Sequence, residues 1–214
     1  MDAMALILSA VAVFIMLCLS EYGWRRGYMT SEVGRKFVHI SVGSFVAFWP
    51  FFLSWNQIRL LSLAFIIAVI LSKVFNIFSA IHSVQRPTYG EFFFAVVVGL
   101  LTYITHSKAI YAAALLQMSV ADGMAAIIGV EYGIKQQRWK YHVLKHSKTL
   151  IGSATFFVIS AAILFGYSAD TMRLAWYLVP LIAAGATLIE NVGIAGTDNL
   201  LAPLFVAFIL TALA

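Results

Sequence analysis

Apolar residues in this chain come in long runs, near 4–20, 37–53, 57–75, 91–105, 109–130, 150–167, 172–189 and 199–213, a pattern that suits a bilayer rather than a water-soluble core. A spanning helix needs about 20 mostly apolar residues, so 214 residues hold these runs and little else. The expected fold is an all-α integral membrane protein, a polytopic bundle of seven or eight transmembrane helices that forms one domain over residues 1–214. The count stays at seven or eight because the 91–105 run is short for a span and the break after Leu53 is thin. Composition agrees, with 62% hydrophobic and 11% charged residues and a mean hydropathy of +0.93, far from a soluble domain. The first run has no basic segment before it and follows Asp2, so it reads as a span rather than a signal peptide. Cys18, the single cysteine, excludes an intrachain disulfide or a cysteine-based metal site.

Orientation follows from the basic residues, which concentrate in cytoplasmic loops. With eight spans, the odd-numbered loops share one side and hold Arg25, Arg26, Arg35, Lys36, Lys73, Arg86, Lys135, Arg138, Lys140, Lys145 and Lys148. The even-numbered loops hold Arg59, Lys108 and Arg173, so eleven of the 14 Lys and Arg lie on one side. This places the odd loops in the cytoplasm and both termini outside. The net charge of +5 is then a matter of topology. Nucleic acid is not an expected partner, since that would call for a basic soluble patch with interleaved aromatics.

The same assignment gathers most of the polar residues that loops do not explain. "GRKFVHISVG" opens the second span with Arg35, Lys36 and His39, and "TYGEFFF" opens the fourth with Glu91. "LIENVGIAGTDNLLAPL" carries Glu190 where the seventh closes and Asp198 and Asn199 where the eighth opens. All of these lie at cytoplasmic helix ends. Asp122 stands inside the fifth span, roughly 13 Å from its cytoplasmic end at 1.5 Å per residue. An isolated carboxylate there costs about 2.5–3.5 kcal/mol on insertion scales, so it should face a polar interior with partners. Ala121, Gly123, Ala125, Ala126 and Gly129 around it are small enough to let other helices close in. A plain interhelical hydrogen bond is the simpler role for Asp122, but the further acidic and amide groups on the same side favour a site.

Carboxylate and amide oxygens suit Mg²⁺, which is commonly held by one or two carboxylates plus substrate phosphates. Lys and Arg neutralise phosphates, and helix-start N–H groups cradle them. "SKTLIGS" sets Lys148 and Thr149 just before the sixth span, with Gly152 allowing close approach. No G-x-x-x-x-G precedes the lysine, so this is not a Walker A loop. By itself such a lysine reads as an interfacial residue with its stem in the bilayer.

Taken in order, "RKFVHISVG", "YGEFFF", "ADGMAAIIGVEYG", "SKTLIGS" and "TDNLLAPL" resemble the CTP-dependent polyprenol, dolichol and phytol kinase family, over residues of about 34 to 207. The core is also similar to that of phosphatidate cytidylyltransferases. Their K-T-W-E-G is here "KTLIG", and their later arginine- and glycine-rich signature is absent, which favours the kinase. Many relatives carry Glu where this chain has Ile151, so that position is given no role. The resemblance implies transfer of the CTP γ-phosphoryl group, with Mg²⁺, to the hydroxyl of a membrane-dissolved isoprenoid alcohol, at a site facing the cytoplasm. It implies that Asp122 is a metal ligand or hydroxyl-orienting base and Asp198 a second acidic anchor. Lys148 and Thr149, with Gly152 and Asn199, fall to the nucleotide, to which Arg35, Lys36 and His39 add. Glu91 and Glu190 are either metal ligands or partners of those cations. His82, His106, His142 and His146 are given no role. A cytidylyltransferase is the alternative. An ion-coupled transporter is a weaker one, because no internal repeat is evident and the polar groups gather at one face rather than at the midplane.

Overall fold

The structure, a computed structural model, describes residues 3–28, 31–75, 89–134, 139–143 and 146–214, with only the backbone of residues 31–33, 134 and 146. Of the residues considered above, Asp2, His82, Arg86, Lys135, Arg138 and Lys145 lie outside the described residues, as does the side chain of His146. Among the described residues the chain forms eight helices: α1 (Ala3–Arg25), α2 (Ser31–Ala47), α3 (Trp55–Val74), α4 (Gly90–Ile104), α5 (Lys108–Gly133), α6 (Leu150–Thr171), α7 (Val179–Val192) and α8 (Asp198–Leu213). The fold is all-α, one helix for each apolar run. Four helices, α1, α3, α5 and α6, are long and apolar enough to cross a membrane, while α4, α8 and the Trp176–Val192 segment ending in α7 are apolar but shorter. At 1.5 Å per residue, a helix of 16 residues such as α8 is about 24 Å long, against a hydrocarbon core of about 30 Å.

Local chemistry sets the helix ends. Ser54 and Gln57 form a reciprocal capping box at the start of α3. Ser107 caps α5, and Thr149 caps α6 by accepting from Gly152 N–H at 3.2 Å. The seventh helix begins later than the 172–189 run suggests. The chain first makes a 3₁₀ turn at Trp176–Leu178, and Pro180 then sits in the first turn of α7, where its missing N–H costs nothing.

The basic stretch between α5 and α6, expected as a plain loop, instead contains an antiparallel hairpin of β1 (Lys140–Val143) and β2 (His146–Thr149), with Tyr141 opposite Lys148.

α5 is the central helix. Of its apolar window 61% is buried, against 17% for α1 and α3 and 22% for α6. Interhelical bonds mark both ends of the bundle as well as its middle, where Ser62 donates to Ala95 O and Gln117 to Ser160 O. At one end, Arg59 donates to the Thr102 hydroxyl and carbonyl at 2.9 and 3.1 Å, and Trp55 packs edge-on against Tyr111. At the other end, Ser20 donates to Gly34 O and Asn199 to Gly90 O. The chemistry-bearing residues collect at this second end.

Candidate active site

The packing of α2 against α5 depends on two glycines. A side chain at Gly123 would run into Ile40, and one at Gly43 would run into Ser119. This close approach delivers Lys36 and His39 to Asp122: Lys36 Nζ donates to Asp122 Oδ2 at 2.8 Å, and His39 Nε2 lies 3.3 Å from the same oxygen. All three side chains are buried.

A π-helical segment, Gln117–Ala121, immediately precedes Asp122. Within it the Asp122 N–H reaches the carbonyls of Gln117 and Ser119 and passes over that of Met118, its normal partner in an α-helix. His39 Nε2 donates to the Met118 carbonyl at 2.8 Å. The π-bulge thus frees an acceptor that fixes the imidazole, with Phe94 edge-on to the ring at 5.6 Å.

Two further carboxylates meet Asp122. Gly193, just past α7, lies against the backbone of Asp198, where a Cβ would come within 2.9 Å of the Asp198 nitrogen. The turn it permits, with Gly196 at φ 92° and the Thr197 hydroxyl accepting from Ile194 N–H, folds the start of α8 back toward Glu190. Oxygens of Asp122, Glu190 and Asp198 then lie within 4.8 Å of one another. Pro203 has no N–H, so it leaves the Asn199 carbonyl at the start of α8 without its i+4 donor.

Lys148, on β2, donates to the Glu190 carboxylate and, at 3.2 Å, to the Glu190 carbonyl. Burial pushes the Lys148 ammonium down, but Glu190 beside it, with Asp198 and Asp122, more than offsets this, and its pKa lies above the ordinary lysine value. The hairpin is pinned by Tyr141, whose hydroxyl donates to Asn191 Oδ1 at 2.9 Å and meets Ser153 Oγ; Ser153 donates to Asn191 at 2.8 Å. Two lysines, and His39 when protonated, therefore stand against three carboxylates.

The sequence-predicted residues divide into three groups. Asp122, Glu190, Asp198, Lys36, His39 and Lys148 come together. Lys36, His39 and Lys148 are engaged with the acidic residues rather than set apart from them. Thr149 and Gly152 do structural work: the Thr149 hydroxyl caps α6 and packs against Gly129, and a Cβ at Gly152 would approach Ala125 O and Gly129 Cα at 3.2 and 3.3 Å. Glu91, Arg35 and Asn199 lie apart from the carboxylate cluster, on a neighbouring cavity that His39 also lines. Tyr141, Ser153 and Asn191 escaped sequence reasoning. The polar Asn191 beside Glu190 was the one available hint.

Three hard oxygen donors, two of them buried and Asp198 half-buried, flanked by lysines fit a Mg²⁺–phosphate centre, since Mg²⁺ prefers carboxylate oxygens and shares its shell with substrate phosphates. The π-bulge ahead of Asp122 is also of a kind frequent at functional sites.

Helices of membrane-crossing length, with carboxylates and lysines gathered at one end of the bundle, define a membrane-type protein with a polar centre. The chain is 31% identical over 212 residues to a phytol kinase of Synechocystis sp., an alignment that covers 94% of this chain and 88% of that protein. It belongs to the phytol/polyprenol kinase family. No family model matches the chain, and no solved structure does.

Proposed function

We propose that this protein transfers the γ-phosphoryl group of CTP to the hydroxyl of a membrane-dissolved isoprenoid alcohol, of the class to which phytol belongs. The observation that carries this reading is the convergence of Asp122, Glu190 and Asp198 with Lys36 and Lys148 at one end of the bundle, in a chain of this family. Phosphoryl transfer asks mainly for positioning and charge neutralisation, which such a cluster supplies. Asp122, Glu190 and Asp198 would hold Mg²⁺, which when bound neutralises charge on the nucleotide phosphates. Lys148 and Lys36 carry the further positive charge that the phosphate oxygens require. Asp122 orients the acceptor hydroxyl, whose proton passes to water as the alcohol oxygen bonds to the γ-phosphorus and the bond to the bridging oxygen breaks, releasing CDP. His39, fixed by the Met118 carbonyl, holds the Asp122 carboxylate in place.

The protein is multi-pass, with the acidic end toward the cytoplasm, where CTP is dissolved; the bias of basic residues supports this orientation. The test is the fate of label in CTP. A kinase leaves an α-phosphate label in CDP, whereas a cytidylyltransferase moves it into lipid, which would replace this reading with the alternative.

A further inference from the structure

Beside the carboxylate cluster, α1, α2, α3, α4 and α8 enclose a cavity. Its walls are graded. Along α2 it is lined by Arg35, Val38, His39 and Val42, and along α3 by Ser72, Val69, Ala68 and Phe65. Each set is an i, i+3, i+4, i+7 stripe, so the cavity follows the helix axes for about 10 Å at 1.5 Å per residue. On α2 Arg35 and His39, and on α3 Ser72, stand toward the end nearer the carboxylates, with Val42 and Phe65 the deepest of each stripe. α4 repeats the gradient, from Glu91 to Phe94. Three helices, α3 antiparallel to the other two, thus share one polarity axis, with His39 at the polar end in contact with both the cavity and Asp122.

The apolar part is open sideways. Ala68 lines the cavity yet is exposed, about 9 Å from the end of α3. Leu17 of α1 stands half-buried on the same cavity.

Resting on the lipid-alcohol kinase reading, we propose that this cavity is the acceptor site. It takes the hydroxyl end of an isoprenoid alcohol beside His39 and admits it laterally from the bilayer past Ala68, between α1 and α3. The rest of the tail stays among the lipids. The occupant is a lipid with a small polar head, because polar lining is confined to one end, at Arg35, His39, Ser72, Glu91 and Asn199, and the rest of the wall is apolar. Turnover should then depend on the first few carbons next to the hydroxyl and little on total chain length.

The test is photolabelling of the full chain in detergent by a long-chain alcohol with a diazirine a few carbons from its hydroxyl, without nucleotide. Label in the peptides carrying Leu17 and Phe65–Val69, displaced by unlabelled alcohol but not by phospholipid, is the expected result. Label confined to α6 or α7, no label, or displacement by phospholipid alone would overturn the assignment. As a second arm, Ala68→Trp should raise KM for the alcohol by about tenfold or more, the scale on which lost pocket space discriminates, with KM for CTP unchanged. Ile67→Trp, at a 51% exposed position outside the cavity, should change neither. An active Ala68→Trp enzyme with unaltered KM for the alcohol would refute the cavity and leave the kinase reading standing. Specific photolabelling by a protein that phosphorylates no alcohol would do the reverse.

Discussion

Replacing Asp122 with Asn preserves side-chain shape and one acceptor oxygen and removes one charge. Two consequences can be separated. The first is structural: Lys36, 6% exposed and 2.8 Å from the carboxylate, loses its counter-charge. Breaking one side of a buried pair costs about 3–5 kcal/mol, so the variant should unfold at lower temperature. The double variant Lys36→Met/Asp122→Asn, which removes both charges, should regain most of that stability. The second is chemical: metal binding and hydroxyl orientation both need the charge. Transfer should fall by about two to four orders of magnitude, or roughly 2.7–5.4 kcal/mol of barrier. The assay is phosphorylation of a long-chain alcohol by monodisperse protein in detergent, below the variant's unfolding temperature. Asp170→Asn serves as the control: Asp170 is exposed near the far end of α6, on the order of 30 Å along the helix from its start, and activity should be normal. A folded Asp122→Asn protein with near-normal turnover would refute the catalytic role and leave Asp122 as a helix-to-helix contact.

Gly123→Val should push α2 off α5 at Ile40, lowering stability by about 1–3 kcal/mol and reducing activity through displaced Lys36 and His39; thermal unfolding together with turnover checks both. Removing divalent cations with a chelator should abolish transfer and added Mg²⁺ should restore it, whereas full activity in excess chelator would argue against a metal at Asp122, Glu190 and Asp198. A reporter that functions only outside the cytoplasm should be active when fused after Ala214 and inactive when placed in the β1–β2 hairpin, and the opposite pattern would invert the orientation.

The helices were legible because each apolar run is long enough to impose a helix wherever it is placed, and all eight runs have one. That Asp122, Glu190 and Asp198 lie toward one side was legible from the alternation of helix direction; that their oxygens come within 4.8 Å of one another was not. What stayed hidden depends on contacts distant in sequence. The π-bulge that gives the Met118 carbonyl to His39 has no residue signature in "QMSVA". The hairpin is fixed by Tyr141 reaching Ser153 and Asn191, 12 and 50 residues away. The resemblance assigns Thr149 to the nucleotide, and the sequence did not show that its hydroxyl also caps α6. Glu91 shares a level with the other acids but sits on α4, across the cavity rather than in the cluster.

In the proposed reaction the carboxylate and lysine cluster transfers phosphate from CTP to a lipid alcohol. Its most direct test is transfer from γ-labelled CTP and γ-labelled ATP, measured side by side with purified protein and phytol. Label is expected in the alcohol's phosphomonoester from CTP at a kcat/KM far above that from ATP. Equal use of ATP would contradict the nucleotide assignment. No label in the alcohol from either donor would contradict the reaction itself.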